Sequence, residues 1–371
     1  MAGLGVGLIG TGYMGKCHAL AWNAVASVFG DVERPRLVGL AEVDAALAAR
    51  KANEFGFARS TDDWRDLLAD PAIDVISVTT PNRLHAEMAV AALEAGKHVW
   101  CEKPMAPSLA DAERMAAARR AAGKVAVMGY NYIQNPLIRH MAALIGAGAV
   151  GAVTHVRIEM DEDFMADSAE PFYWKSEASS GYGALDDFAV HPLSLLSVLV
   201  GMPVEVMASM ARPYAERPLR EGGRREVENH DIASVLMTFE NGASGVLMAN
   251  RAAWGRKGRI FIQVYGSDGS MLYDQERMNE FQFYDRNGDP AMHGFRTVLA
   301  SGHHPPYGRF VPAPGHGLGF NDLKIVECRE LHAAVAGAAA HVVDFDRGLA
   351  IERAVHAMAR SHFERGWMNV A

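Results

Sequence analysis

The chain has 371 residues, of which 50% are hydrophobic and 22% are charged, a balance that excludes general disorder and suits two globular domains. Lysine and arginine number 36 and aspartate and glutamate number 44, so the formal net charge is −8 and argues against nucleic acid as the main partner. Cys17, Cys101 and Cys328 are widely spaced and form no CxxC pair, so we expect neither disulfides nor a bound metal.

The apolar runs of the chain carry no sign of export or membrane insertion. The N-terminal residues lack the charged region and the long apolar core of a signal peptide. No stretch reaches the roughly 18 apolar residues that a membrane span needs. These patterns predict a cytoplasmic protein that has no membrane partner.

Up to about residue 128, short apolar runs alternate with longer amphipathic runs. Strands are predicted at Leu4–Ile9, Leu37–Ala41, Asp74–Thr79, His98–Cys101 and Val125–Met128. Helices are predicted at Met14–Ser27, Ala45–Phe55, Asp62–Leu68, Arg83–Ala95 and Leu109–Ala121. This alternation is typical of an α/β fold with a doubly wound parallel sheet, so we assign residues 1–128 to one such domain.

The pattern changes in residues 129–371, which we assign to a second domain. Helices are predicted at Pro136–Ile145, Asp186–Leu199, Asp322–Ala339 and Phe345–Arg365. Strands are predicted at Val153–Met160, Val204–Ala211, Ile232–Glu240, Ser244–Asn250, Arg259–Tyr265, Gly269–Tyr273 and Glu280–Tyr284. The Asn241-Gly242 pair between two of these strands predicts a hairpin. The order indicates an α+β domain with an antiparallel or mixed sheet and helices on one face.

A glycine-rich motif directly follows the first predicted strand. Gly10, Gly12 and Gly15, with Tyr13 and Met14 between them, form a GxGxxG sequence that opens a helix. The first glycine permits a tight turn, the second lets the backbone approach a pyrophosphate, and the third allows the helix to pack closely on the strand. Because the helix N-terminus also attracts phosphates, we predict that these five residues bind a dinucleotide.

An acidic residue at the end of the second strand is expected to bind the ribose of that dinucleotide. Glu33 has nearly the usual spacing from Gly15, but it precedes Pro35 and lies before the strand. Glu42 ends the predicted strand Leu37–Ala41, so we prefer Glu42, with a solvated surface glutamate as the alternative. A carboxylate there accepts hydrogen bonds from ribose hydroxyls and repels a 2′-phosphate, which favours NAD over NADP.

Three further segments lie at predicted strand ends or open a helix of the second domain. They are residues 80–85, the Glu102-Lys103-Pro104 triplet, and residues 183–191, which include Asp187 and His191. With the glycine motif, they resemble the glucose–fructose oxidoreductase/inositol dehydrogenase/MocA (Gfo/Idh/MocA) family of NAD(P)-dependent oxidoreductases over nearly the whole chain. The resemblance implies an N-terminal Rossmann domain, a C-terminal domain built on a large open, mainly antiparallel sheet, and a homodimer or homotetramer.

The resemblance also implies hydride transfer between NAD and a carbinol carbon of a sugar or cyclitol. Carried over to this sequence, the catalytic residues are Lys103, Asp187 and His191, and they are also expected to contact the substrate. Histidine titrates near neutrality and suits a general base, and Asp187 lies four residues before His191 on the same helical face. Lys103 would stabilise a developing alkoxide. Asp186 is treated as a neighbour of the catalytic acid.

Other family positions are assigned to the cofactor. The loop beneath the nicotinamide and its ribose corresponds to Thr80, Pro81, Asn82 and His85. His85 also suits a purely structural contact, and this alternative stays open. Lys103 is expected to contact the cofactor, and Glu102 is expected to position Lys103 or to bind the ribose.

Substrate identity is sought in the acidic and aromatic stretch that precedes the catalytic helix. Asp163, Trp174 and Lys175 are candidate sugar contacts, with a solvated loop as the alternative. Asn131 either faces the substrate or packs at a hinge, and His316 and Asn321 are candidates from a late loop. Because no arginine cluster stands at the catalytic motif, a neutral polyol is favoured over a phosphorylated substrate. Within the family, the chain resembles members that act on pyranosides and on anhydrosugars such as levoglucosan.

Two other functions are compatible with the same motifs. One keeps the fold but retains NAD through turnover, so that internal oxidation and reduction drive epimerase, lyase or hydrolase-like chemistry on a glycoside. The other is a non-catalytic sensor that binds NAD and sugar. The complete lysine, aspartate and histidine set argues against the sensor.

Overall fold

The chain folds into two units, seen in a computed structural model that describes residues 3–287 and 289–370. The first unit runs to Gln134 and resumes at Leu318–Leu349, and the second comprises Asn135–Gly317 and the chain from Ala350 onward. The predicted domains, 1–128 and 129–371, differ from these units because a C-terminal segment returns to the first. Its local pattern predicted a helix but could not show which unit the helix packs against.

Side-chain caps and glycines delimit many of the helices. Asp44 accepts a hydrogen bond from the Leu47 N–H at 2.7 Å, and Ser108 accepts one from the Asp111 N–H at 3.1 Å, each at a helix N-terminus. The helices are α1 (Tyr13–Phe29), α2 (Ala45–Phe55), α3 (Arg65–Ala69), α4 (His85–Glu94), α5 (Leu109–Ala122), α6 (Pro136–Gly146), α7 (Val190–Leu199), α8 (Phe320–Val335) and α9 (Phe345–Glu364).

The strands of the first unit form a six-stranded sheet in the order β3-β2-β1-β4-β5-β6, and every neighbouring pair is parallel. They are β1 (Gly5–Ile9), β2 (Arg36–Ala41), β3 (Arg59–Thr61), β4 (Val75–Val78), β5 (His98–Cys101) and β6 (Ala126–Met128). Strands β1 and β4 are completely buried, which explains their nearly continuous apolar sequences. The predicted α/β class is confirmed. The strand order reverses between β1 and β4, where such folds bind their ligands.

The second unit contains a nine-stranded sheet in the order β16-β15-β14-β13-β7-β12-β11-β8-β17 and a separate β9-β10 pair. Its strands are β7 (Val153–Glu162), β8 (Glu205–Ala211), β9 (Glu216–Pro218), β10 (Arg224–Glu226), β11 (Ile232–Thr238), β12 (Ser244–Asn250), β13 (Lys257–Gly266), β14 (Gly269–Asp274), β15 (Glu280–Asp285), β16 (Arg296–Leu299) and β17 (Met368–Asn369). Strands β7 and β12 pair in parallel, and the other neighbours are antiparallel, so the mixed sheet is confirmed.

The β11–β12 hairpin positions polar residues that belong to the candidate site. Ile232 pairs with Asn250, so the residues just outside the hairpin, Asp231 and Arg251, meet at one end of the sheet. The Arg251 N–H donates to the Asp231 carbonyl at 2.9 Å and extends the pairing by one residue. Within the described residues, none of the helices combines the length and apolar character needed to cross a membrane.

Candidate active site

The glycine-rich turn joins β1 to α1 in the first unit. Gly10 has φ +91°, and a Cβ there would lie 2.9 Å from the Thr79 carbonyl oxygen. A Cβ on Gly15 would lie 2.4 Å from the Gly10 carbonyl oxygen, whereas a Cβ on Gly12 would meet nothing within 4 Å. Gly10 and Gly15 therefore close the turn, and Gly12 leaves open space at the N-terminus of α1, beside the exposed Tyr13. This open cradle fits a pyrophosphate.

Glu42 braces this turn from the end of β2. Its Oε2 accepts hydrogen bonds from the Thr11 N–H at 3.0 Å and the Thr11 hydroxyl at 2.7 Å, and its Oε1 accepts one from the Val43 N–H at 2.9 Å. Glu33 is exposed and lies ahead of β2, so the contacts favour Glu42 between the two candidates. A carboxylate oxygen can accept two hydrogen bonds, so the fixed Glu42 carboxylate also fits the ribose of NAD.

His85 connects two of the loops that were assigned to the cofactor. The ring is 1% exposed, with Nδ1 2.8 Å from the Pro104 carbonyl oxygen and Nε2 2.9 Å from the Thr80 carbonyl oxygen. Burial lowers the pKa of His85, against the two carbonyl contacts. His85 therefore holds the Thr80 loop, which includes the exposed Pro81 and the buried Asn82, against the loop of Lys103. Its contacts favour the structural alternative.

Glu102 lies in a buried ionic cluster of the first unit. Its Oε1 accepts hydrogen bonds from His18 Nε2 at 2.9 Å and Lys324 Nζ at 2.5 Å, and Lys324 Nζ also donates to Glu327 Oε2 at 2.7 Å. Burial alone would raise the pKa of Glu102, but the Lys324 ammonium and the His18 hydrogen bond outweigh it and hold this pKa well below its usual range. Glu102 therefore faces the interior, and its contacts favour the positioning of Lys103 over ribose binding.

The same burial acts differently on the partners of Glu102. Burial lowers the pKa of His18 to about 4, so this ring is neutral near pH 7 and donates through Nε2. Burial raises the pKa of Glu327 to about 7, even with Lys324 beside it. The Lys324 ammonium thus lies beside one carboxylate whose pKa is lowered and one carboxyl whose pKa is raised to about 7.

The remaining candidates of the first unit differ in their exposure. Lys103 is half-buried and is joined to Pro104 by a cis peptide bond. Asn131 is 2% exposed, and within the described residues its Nδ2 has no hydrogen-bond partner. A buried amide donor of this kind suits a ligand. Asn321, by contrast, is exposed near the start of α8.

Asp187 lies on a π-type turn, Leu185–Ala189, that leads into α7. The predicted helix Asp186–Leu199 therefore begins with a wider turn than an α-helix, a feature that is frequent at functional sites. His191 is buried in the first turn of α7, four residues after Asp187. Asp186 accepts a hydrogen bond from the Tyr182 N–H, and burial raises its pKa to about 7. Asp186 thus braces the turn.

Two cations lie against the Asp187 carboxylate. Lys175 Nζ donates to Oδ1 at 2.9 Å and to Oδ2 at 2.8 Å, and Arg251 Nη1 lies 3.7 Å from Oδ2. Arg251 is itself paired with Asp231 at 2.7 Å. Two cations and the carboxylates of Asp187 and Asp231 thus form one cluster of ion pairs. An ionised carboxylate only accepts hydrogen bonds, which suits contact with sugar hydroxyls.

The other predicted sugar contacts of the second unit do not all lie beside Asp187. Trp174 is 41% exposed, and Lys175 Nζ lies 5.9 Å from its ring centroid, so the structure brings these two together. Asp163 instead accepts a hydrogen bond from Lys257 Nζ at 2.6 Å. His316 is exposed in the long loop that precedes α8.

Sequence reasoning missed several charged and polar residues of these clusters. They are Asn229, Asp231, Arg251, Lys324 and Glu327. Asp231 and Arg251 directly flank apolar strands that form a hairpin, a signal that could have drawn attention to both. Lys324 and Glu102 are 222 residues apart, and no local pattern connects them.

The sequence and the coordinates both resemble known oxidoreductases. Residues 4–130 match the GFO/IDH/MocA oxidoreductase family with its NAD-binding Rossmann fold, and residues 138–272 match the GFO/IDH/MocA C-terminal domain. The levoglucosan dehydrogenase of Pseudarthrobacter phenanthrenivorans is 35% identical over 386 aligned residues, which cover 100% of this chain and 99% of that protein.

Solved structures extend the similarity over both units. Levoglucosan dehydrogenase in complex with NADH and levoglucosan gives a TM-score of 0.95 at 35% identity, with 99% of each chain covered. An NAD binding oxidoreductase from Klebsiella pneumoniae gives a TM-score of 0.96 at 38% identity, with 100% of each chain covered.

Proposed function

The chain belongs to the Gfo/Idh/MocA oxidoreductase family, and on this basis we propose that it is an NAD-dependent dehydrogenase that oxidises one secondary ring hydroxyl of a neutral sugar to a ketone. The family, the oxidoreductase class and the NAD cofactor expected from the sequence are confirmed by these similarities. The chain is thus related to sugar and cyclitol dehydrogenases. We extend this to a substrate class, with pyranosides and anhydrosugars such as levoglucosan as the first candidates.

The single observation that carries this proposal is the cluster of ion pairs around Asp187. A sugar phosphate needs a surplus of cations, but Lys175 and Arg251 already face Asp187 and Asp231. A fixed, ionised carboxylate instead accepts hydrogen bonds from neutral hydroxyls. The partly exposed Trp174 ring beside Lys175 offers an apolar face to the C–H groups of a pyranose.

Different residues of the first unit are assigned to the pyrophosphate and to the ribose of NAD. NAD, when bound, accepts the hydride from the reacting carbon. The open side of the turn at Gly12 and the N-terminus of α1 hold its pyrophosphate, and Glu42 holds its ribose hydroxyls. The negative charge of Glu42 also disfavours a 2′-phosphate, which sets the preference for NAD over NADP.

We assign three residues to the reacting hydroxyl. An imidazole nitrogen of His191 takes the hydroxyl proton, because a neutral histidine is a competent base near pH 7. Lys103 Nζ donates a hydrogen bond to the same oxygen as negative charge develops there. Asp187, oriented by Lys175, accepts a hydrogen bond from a neighbouring hydroxyl and so selects the carbon that is oxidised.

A substrate panel tests this function. NADH formation is measured with levoglucosan, other anhydrosugars, methyl glycosides, free hexoses, inositols and sugar phosphates, with NAD and NADP in parallel. We expect turnover of a neutral pyranose derivative with NAD preferred. His191→Ala should abolish this turnover without changing NAD affinity, and His155→Ala, at a half-buried histidine of β7, should leave it intact.

Two results would contradict the proposal in different ways. Turnover of sugar phosphates alone would refute the neutral substrate class. Turnover without net NADH, with NAD released only on denaturation, would instead assign an internal oxidation and reduction. The homodimer or homotetramer stays a prediction, to be measured by light scattering of the purified chain.

A further inference from the structure

A buried hydrogen-bond network connects the β11–β12 hairpin to the Lys175–Asp187 pair within the second unit. It starts at Arg251, which is 1% exposed and directly follows β12. Arg251 Nη2 donates to Asp231 Oδ1 at 2.7 Å and to Asn229 Oδ1 at 3.1 Å. A planar guanidinium that binds two fixed oxygens has one orientation, so Arg251 also fixes the amide of Asn229.

Asn229, oriented in this way, binds the main chain of the loop that carries Lys175. Its Nδ2 donates to the Lys175 carbonyl at 2.8 Å and to the Glu177 carbonyl at 3.2 Å. Because Arg251 occupies Asn229 Oδ1, the Nδ2 donors can face only the loop. The main chain of Lys175 is therefore held by a side chain from the segment that leads into β11.

The side chain of Lys175 completes the connection. Its Nζ binds both carboxylate oxygens of Asp187. A lysine has four flexible side-chain torsions, and holding it in one geometry costs conformational entropy. An anchored main chain reduces that cost, because the ammonium starts from a fixed Cα. Neither Asn229 nor Arg251 was assigned to the reaction by the family motifs.

We propose that Asn229 is a positioning residue that acts through Lys175, and that Arg251 is a positioning residue that acts both through Asn229 and directly at Asp187. Together they fix the orientation of Asp187, and with it the sugar hydroxyl presented for oxidation. The inference rests on the proposed function, since it concerns the same carboxylate. A misplacement of about 1 Å in such a group can cost about 100-fold in rate. The effect should fall on kcat, because it changes the orientation of bound substrate more than the number of contacts.

A double-mutant cycle tests this coupling. The variants are Asn229→Ala, Lys175→Ala and their combination, with kcat and the KM of sugar and NAD measured well below each unfolding temperature. We expect Asn229→Ala to lower kcat about 10- to 100-fold, with the KM for NAD within about twofold of the parent value. In the Lys175→Ala background the same substitution should change kcat less than about twofold, because the group through which it acts is gone.

Asn135→Ala is the matched control. Asn135 is also 2% exposed, and its Nδ2 also donates to two acceptors, the Tyr273 hydroxyl and the Met278 carbonyl. It should lose stability but keep kcat. Asn229→Asp keeps the oxygen that accepts from Arg251 but removes the Nδ2 donors to the loop, and it replaces Asn229→Ala in the cycle if Asn229→Ala does not fold. Equal kcat losses in the presence and absence of Lys175 would overturn the inference.

A separate readout distinguishes this inference from the function on which it rests. If the parent protein oxidises no member of the panel, the proposed function fails. Acrylamide quenching of Trp174, obtained by difference from Trp174→Phe, then reports on the loop, because this ring lies beside Lys175. Asn229→Ala should increase the quenching about twofold, since loop residues freed from their anchor become more accessible. Unchanged quenching would overturn the positioning role.

Discussion

Lys324→Met removes the one cation in the buried cluster around Glu102. Lys324 and Glu102 are both almost completely buried, and Glu102 Oε1 then keeps only the hydrogen bond from neutral His18. Loss of one partner from a buried ion pair costs about 3–5 kcal/mol, because a carboxylate is left in the interior without a counter-charge. For a unit of this size, 1 kcal/mol corresponds to about 2–4 °C in Tm, so we expect a decrease of roughly 6–20 °C.

Thermal unfolding followed by circular dichroism measures this decrease. Lys51→Met is the matched control, because Lys51 also pairs with an acid three residues later, Glu54, but at an exposed site. Solvent screens that pair, so Tm should change little. The combined variant Lys324→Met/Glu102→Gln should recover a large part of the loss, since no ionised carboxylate then remains beside His18. If its loss equals the sum of the single losses, the uncompensated charge is not the cause.

Three further predictions follow from the first unit. The pKa of Glu327 is raised to about 7, so the folded protein keeps this proton at a pH where the unfolded chain has released it. The associated stability is present at low pH and is lost as the pH rises through 7. The Tm of Glu327→Gln should therefore rise relative to that of the parent from about pH 5 to about pH 8, and a pH-independent difference would contradict this. Glu42→Ala should lower the NAD-to-NADP ratio of kcat/KM at least about 10-fold, whereas Glu33→Ala should not, and the opposite result would reassign the ribose contact. Gly12→Ala should weaken NAD binding at unchanged Tm, because the added Cβ meets only the open cradle. Gly15→Ala should lower Tm, because its Cβ meets the Gly10 carbonyl. NAD affinity is measured by calorimetric titration and Tm from unfolding curves, and equal behaviour of the two variants would contradict the prediction.

The local elements of the first unit follow closely from the sequence. Strands β1 and β4 are buried on both sides, so their sequences are nearly continuous apolar runs, and each is followed by a polar or glycine-rich turn at the same sheet edge. By contrast, β3 consists of three residues, Arg59–Thr61, none of them buried, and hydrophobic patterning cannot reveal such a strand. The short edge strands β16 and β17 of the second unit escaped prediction for the same reason.

Candidate site residues could be proposed from the sequence where a motif is contiguous, and not where they depend on long-range packing. Asp187 and His191 were proposed from one segment, and the structure places them on one continuous helical path. Two side chains that lie against Asp187, Lys175 and Arg251, come from other segments, and Lys175 is the nearer of the two in sequence. The orientation of Glu102 towards His18 and Lys324 likewise depends on α8, whose packing partner no local pattern specifies.

The return of α8 to the first unit sets a limit on how this protein can be divided. A fragment that ends at Gln134 contains the whole parallel sheet but lacks Lys324, and it would bury Glu102 without its cation. During synthesis, the first unit remains incomplete until its second segment, Leu318–Leu349, has followed residues 135–317 out of the ribosome. Transplanting the whole nucleotide-binding unit between relatives would therefore require two separate segments to be moved together. The nucleotide-binding module looks N-terminal in sequence, but it is discontinuous. It can be inherited or engineered as a unit only if both of its segments are kept together.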